Sequence, residues 1–138
     1  MRTAALIEWQ ITKNLLPHNL THSQYSLLRI LREESDKGLQ CGEISQRLIN
    51  MTPDVTRLLD RLEKRGLIKR QRDFNDRRIV VAKITQKAID LLAELDLPID
   101  QMHISVFKDM SSDNVKAFIE SLSNIRERLI NLSHPITH

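Results

Sequence analysis

The stretch RLEKRGLIKRQRDFNDRRIVV, residues 61 to 81, holds eight Lys or Arg among its first eighteen positions. A guanidinium offers a planar fork of donors that fits a phosphate or the O6/N7 edge of guanine, whereas an ammonium acts as a point charge. Just upstream, Thr56 and Arg57 add a short hydroxyl and another fork. By spacing, Thr52, Asp54, Thr56, Arg57, Arg61 and Lys64 fall on one predicted helix. Lys69, Arg70 and Arg72 fall on the strand after it, and Arg77 and Arg78 at the tip of a turn. Such groups suit a polyanion, and duplex DNA in particular when a helix and a hairpin present them together.

The positioning elements follow from periodicity and caps. Val55, Leu58, Leu59 and Leu62 form the i, i+3, i+4, i+7 set of a helix over 52–65, with Thr52 as N-cap, Pro53 at its first position and Gly66 just past its end. That apolar stripe turns Thr56, Arg57, Asp60, Arg61 and Lys64 outward. Arg57 lies in the N-terminal half, which reaches base edges when a helix enters the major groove, and a bidentate bond to guanine discriminates by ~1–3 kcal/mol. Thr56 is short enough for a phosphate or a thymine methyl. From Lys64 to Arg72 the basic groups are placed for backbone phosphates. Residues 67–72 and 78–84 are β-rich around the polar turn Asp73–Asp76, a hairpin whose tip arginines suit a narrow minor groove. For Asp54 three readings stand: a favourable partner of the helix dipole, a repellent of phosphate, or an acceptor from cytosine N4.

Upstream, Ile7, Ile11 and Leu15 predict a helix over 3–16, ended by Pro17. Thr21 and Gln24 form a capping box, Leu20 and Tyr25 a hydrophobic staple, and Leu27, Leu28 and Leu31 a buried stripe that stops at Gly38. A short helix over 42–49 buries Ile44 and Leu48. After the hairpin, Thr85 caps a helix carrying Ala88, Leu91, Leu92 and Leu95 inward, and Pro98 either kinks it or starts another. The last helix, 111–131, carries Val115, Phe118, Ile119, Leu122, Ile125 and Leu129. The fold class is therefore mainly α with a small β-hairpin, in the order of a winged helix-turn-helix. Phe107, Met110, Phe118 and Leu132 fit either a dimer interface or an intramolecular core.

The totals narrow the alternatives. A 138-residue chain with 41% hydrophobic and 28% charged residues is expected to fold as one domain, or as a small domain with helical extensions. Its net charge of +3 is uneven: residues 1–39 carry five bases and four acids, 40–85 eleven and six, and 86–138 five and eight. The positive excess thus lies in the middle. The longest apolar runs, Ala4–Ile7 and Ile79–Ala82, are too short for a membrane span, and Glu8 interrupts any secretory apolar core. One cysteine excludes an intrachain disulfide and fits a reducing compartment, so the expected location is cytoplasmic. Cys41 is expected as a small buried hydrophobe, and Trp9 as core or interface. His18, His22, His103, His134 and His138 lack metal-ligand spacing, and neither a nucleophile elbow nor a phosphate loop frames any Ser, His or Asp. The expectation is no enzyme, no cofactor and no metal.

The segment ISQRLINMTPDVTRLLDRLEKRGLIKRQRDFNDRRIVVAKIT resembles the winged-helix core of the multiple-antibiotic-resistance regulator (MarR) family. VTRLLDRLEKRGLIKR, residues 55–70, and the wing pattern Asp76-Arg77-Arg78 with Ile84-Thr85 beyond it carry the likeness. LTHSQYSLLRIL resembles the family's second helix and ELDLPIDQMH the helix after the wing. The resemblance implies one domain over 1–138. Residues 1–20 and 86–138 would be dimerisation helices, 21–85 the winged helix-turn-helix, 52–65 the recognition helix and 67–84 the wing. It implies a homodimer on a near-palindromic duplex, with Arg57 reading the major groove, Arg78 the minor groove, and Asp76 orienting an arginine through a salt bridge. It also implies a repressor relieved by a small amphipathic or aromatic effector, for which the sequence names no binding residue. Control by oxidation or metal, or a protein-interaction module of weak DNA affinity, are the alternatives. Two departures stand out: Asp54, where many relatives carry Ser or Thr, and Ala88, where many carry Gly.

Overall fold

A computed structural model of the chain describes residues 2–48 and 54–133. Six α-helices and three short strands appear among them: α1 (Arg2–Leu15), α2 (His22–Glu33), β1 (Leu39–Gln40), α3 (Cys41–Arg47), α4 (Val55–Lys64), β2 (Ile68–Arg72), β3 (Val80–Ile84), α5 (Gln86–Phe107) and α6 (Ser112–Ser133). The architecture is a winged helix. Two compact units divide the chain, Met1–Asp100 and Gln101–His138, with the boundary inside α5.

Local chemistry sets the element ends. After α1, Pro17 lies in a single 3-10 turn, Leu16–His18, which closes on Asn19 in the left-handed region at φ 56°. The Thr21 hydroxyl then accepts from the Gln24 N–H while the Gln24 side chain accepts from the Thr21 N–H, both at 3.1 Å, as the capping box requires. Leu20 and Tyr25, the predicted staple, are both buried. Gly38 does more than stop a helix. At φ +74° it lies so close to β3 that a Cβ there would come within 2.7 Å of the Ala82 carbonyl oxygen. That approach lets Leu39 and Gln40 pair with Ala82 and Val81, giving an antiparallel sheet in the order β1-β3-β2. The predicted two-stranded hairpin is therefore the outer part of a three-stranded sheet; a two-residue strand is too short to show alternation in sequence.

The core gathers Leu27, Leu28 and Leu31 of α2, Ile44 of α3, Leu59 and Leu62 of α4, and Leu92 and Leu95 of α5, all fully or nearly fully buried. Each such leucine contributes about 1.5–3 kcal/mol by leaving water. α5 runs through Pro98 as one helix, so no new helix begins there. In the second unit the Phe107 and Phe118 rings stand 6.5 Å apart and tilted. The rest of α6 leaves Ile119, Leu122, Ile125, Leu129, Ile130 and Leu132 exposed, with Leu132 at 78%. In the first unit Leu6, Trp9 and Leu16 are likewise exposed, and the Trp9 ring lies under the Lys13 ammonium.

Candidate nucleic-acid interface

Helix α4 is amphipathic: Val55, Leu59 and Leu62 are buried and Leu58 partly so, while Thr56, Arg57, Asp60, Arg61 and Lys64 are exposed. Arg57, Arg61 and Lys64 recur at helical spacing along the outer face. The helix is shorter at its start than the sequence predicts. Asp54 is the N-cap, its Oδ1 accepting the Arg57 N–H at 2.9 Å, and Val55 is the first helical residue. Thr52, placed as N-cap by sequence, and Pro53 lie outside the described residues. Two good caps two positions apart compete for one helix end, and the carboxylate also favours the positive end of the dipole. The helix-end role of Asp54 is thus seen directly. At the other end Gly66, at φ +72°, forms a Schellman closure: its N–H donates to the Glu63 carbonyl and the Leu67 N–H to the Leu62 carbonyl.

The basic residues divide into exposed ones and ones tied inside the fold. Arg57, Arg61, Lys64 and Lys69 are exposed. Arg65 instead donates to the carbonyls of Asn19 and His18, at 2.7 and 3.0 Å, and so joins the end of α4 to the α1–α2 corner. Lys87 of α5 donates to the Arg65 carbonyl at 2.8 Å. Arg70 points back at α4: its guanidinium donates to Glu63 Oε1 at 3.0 Å and to Asp60, while its N–H donates to Glu63 Oε2. These bonds hold the Glu63 carboxyl below its ordinary range. The sequence placed Arg70 with the phosphate-facing groups; in this structure its fork is engaged by two carboxylates, and the acids that hold it, Asp60 and Glu63, had no assigned role.

The wing is a closed loop. The Asp73 N–H donates to the Ile79 carbonyl at 2.8 Å, and the Asp73 carboxylate accepts from the N–H groups of Asn75 and Asp76. Arg72 donates to the Arg77 carbonyl at 2.8 Å, so it shapes the loop from within. Asp76 accepts from Arg78 Nε and Nη2 at 3.1 and 3.2 Å, which keeps the Asp76 carboxyl below its usual range. Arg78 is nonetheless 91% exposed. Arg77 is exposed as well. The structure thus leaves exposed cations on two surfaces, the outer face of α4 and the wing tip.

Elsewhere, Cys41 is exposed at the start of α3, its sulfur 3.8 Å from the Thr56 hydroxyl. The expectation of a buried cysteine is therefore wrong. Leu39 and Ile44 on either side fill the core instead. An open cleft of about 600 Å³ is lined by His18, Arg65, Leu67, Lys87, Leu91 and Glu94, among others. Among the described residues no cluster of His, Cys, Asp or Glu could hold a metal ion, and no helix is long and apolar enough to cross a membrane.

Comparison with known proteins agrees with this geometry. The chain is 35% identical over 116 residues to the HTH-type transcriptional regulator TtmR of Methylorubrum extorquens, covering 83% of this chain. The match spans only 57% of that relative's length. It is 29% identical over 119 residues to the HTH-type transcriptional regulator MhqR of Bacillus subtilis, covering 83% of this chain and 78% of that one. The crystal structure of CouR from Rhodococcus jostii RHA1, bound to p-coumaroyl-CoA, superposes with a TM-score of 0.78 at 25% identity, covering 91% of this chain and 87% of that one. The MarR family model matches residues 20–80, the segment from the α2 cap through α4 and the wing to the start of β3. By these matches and by its winged-helix fold, residues 20–80 of the chain belong to the MarR family's winged-helix core.

Proposed function

We propose that this chain is a transcriptional regulator that binds duplex DNA in a sequence-specific manner as a homodimer, with a small molecule relieving repression. The observation that carries the reading is the division of its cations. Arg65 and Arg70 tie α4 to the α1–α2 corner and to β2, while Arg72, itself exposed, braces the wing loop through the Arg77 carbonyl. Arg57, Arg61, Lys64, Lys69, Arg77 and Arg78 are left exposed on the helix and hairpin that a duplex would meet. In this reading Arg57 and Thr56 face base edges, Arg61, Lys64 and Lys69 phosphates, and Arg78 the minor groove, oriented by Asp76. Asp54, the N-cap of α4, holds the start of that helix, and Arg70 acts as a positioning residue.

Two-fold symmetry of a dimer calls for two half-sites about one helical turn (~34 Å) apart. The exposed apolar residues of α1, and separately those of α6, are the surfaces that a second copy would bury. For the effector, CouR was crystallised with an aromatic thioester, p-coumaroyl-CoA. An amphipathic aromatic ligand here would act by binding the DNA-incompetent arrangement more tightly than the competent one. The reading as a protein-interaction module rested on Asp54 repelling DNA; its role as N-cap accounts for that residue without it.

Selection of bound duplexes from a random pool tests the proposal. A near-palindromic consensus is expected, bound by a particle of dimer mass in light scattering. Absence of any enriched duplex overturns DNA reading, and a stable monomer at micromolar concentration overturns the two-half-site arrangement.

A further inference from the structure

Phe74 is 97% exposed, more than any other large apolar side chain among the described residues. It lies in the wing loop between Asp73 and Ile79, whose backbones are bonded to each other. Polar bonds hold that loop: Asp73 to the N–H groups of Asn75 and Asp76, Arg72 to the Arg77 carbonyl, and Asp76 to Arg78. None of them uses the phenyl ring. A pre-ordered loop therefore holds a large apolar group in water, and the same loop carries the exposed side chains of Arg77 and Arg78.

An apolar ring flanked by cations on a projecting hairpin matches what partly unstacks a duplex. The cations draw the tip to the narrow groove, and the ring replaces water at a base step, bending the helix axis. We propose that Phe74 is an apolar wedge that enters a base step in the minor groove and bends the bound duplex. The inference rests on the DNA-binding reading above. A duplex is favoured over a protein receptor because the exposed cations of the same loop, Arg77 and Arg78, suit a polyanion. The wedge also confers specificity without base-edge hydrogen bonds. Pyrimidine–purine steps unstack most easily, so the sequence under the wing is read through its deformability.

The test uses the full chain and its selected duplex. The bend is measured by energy transfer between end-labelled dyes, and unstacking by the fluorescence of 2-aminopurine placed at successive positions under the wing. Phe74→Ala is expected to reduce the bend by roughly 20° or more, to abolish the local 2-aminopurine signal and to weaken binding about tenfold. The slope of log K against log salt should not change, because no cation is lost. Phe74→Leu keeps apolar bulk and should retain most of the bend. A Phe74→Ala variant that binds, bends and unstacks like the wild type overturns the wedge and leaves the DNA reading standing, with the ring then free for a protein partner. A wild-type chain that binds no duplex overturns both.

Discussion

The Arg70 guanidinium on β2 donates to Glu63 Oε1 on α4 at 3.0 Å, while the Arg70 N–H donates to Glu63 Oε2 at the same distance. One carboxylate thus binds both the backbone and the side chain of the hairpin's first strand, and fixes the hairpin against α4. Glu63→Ala should lower stability by about 1 kcal/mol in urea unfolding, since the pair is partly exposed. In the proposed reading α4 and the wing engage the duplex together, so the larger effect should be on DNA binding. Loss of stability without loss of duplex affinity would refute that positioning role.

The pH dependence of the clamp has a definite sign. The Glu63 carboxyl is depressed below its ordinary value of 4.5 by the Arg70 bonds. Its contribution is therefore complete above that value and disappears as pH falls through the lower folded value. The stability difference between wild type and Glu63→Gln should be constant from pH 6 to 8 and shrink below about pH 4.5. A gap that widens on acidification contradicts the assignment.

Arg57 and Lys69 should separate base reading from charge. Arg57→Ala is expected to cost about 1–3 kcal/mol on the preferred duplex and little on a random one. Lys69→Ala should weaken both alike and reduce the salt slope by about 1. Equal losses on both duplexes for Arg57→Ala would remove it from the base-reading role.

Three glycines predict a graded series. Gly38→Ala, at φ +74° with the Ala82 carbonyl in the way, should cost about 2–4 kcal/mol. Gly66→Ala, at φ +72° with only the Lys87 ammonium nearby at 4.0 Å, should cost about 1–2 kcal/mol. Gly42→Ala meets nothing within 4 Å inside α3 and should stabilise by roughly 0.5–1 kcal/mol. Thermal unfolding of the three variants checks the order.

The cysteine gives a direct readout of a corrected expectation. Cys41 should react completely with an aromatic disulfide reagent in the folded protein, without denaturant, because its side chain is exposed. A thiol that reacts only after unfolding would contradict that exposure.

What was legible in the sequence had local causes. The capping box at Thr21, the leucine stripe of α2, the outer face of α4 and the Gly66 closure each depend on residues within about one turn of one another. β1 escaped notice because Leu39 and Gln40 become a strand only by meeting Ala82 and Val81, some forty residues on. The N-cap of α4 was misplaced because Thr52 and Asp54 both have capping side chains, and only the folded backbone selects one. The exposed cations of the site were legible as a set. Which arginines were internal ties was not, since Arg65 and Arg70 look like their neighbours until their carbonyl and carboxylate partners are in place.

Arg65 has a mechanical consequence. Through its guanidinium it grips the His18 and Asn19 carbonyls, and its own carbonyl is gripped by Lys87, so the C-terminal end of α4 is fastened to two neighbouring elements. That end is a fulcrum. Arg57 lies eight residues away, about 12 Å along the helix, so a 10° rotation about the fastened end sweeps its backbone by roughly 2 Å. A displacement of that size takes a guanidinium out of hydrogen-bond range of a base edge. In the proposed DNA-binding reading, a small shift where α1 meets α2, or at the first turn of α5, would be geared up into the gain or loss of a base contact at the far end of the helix.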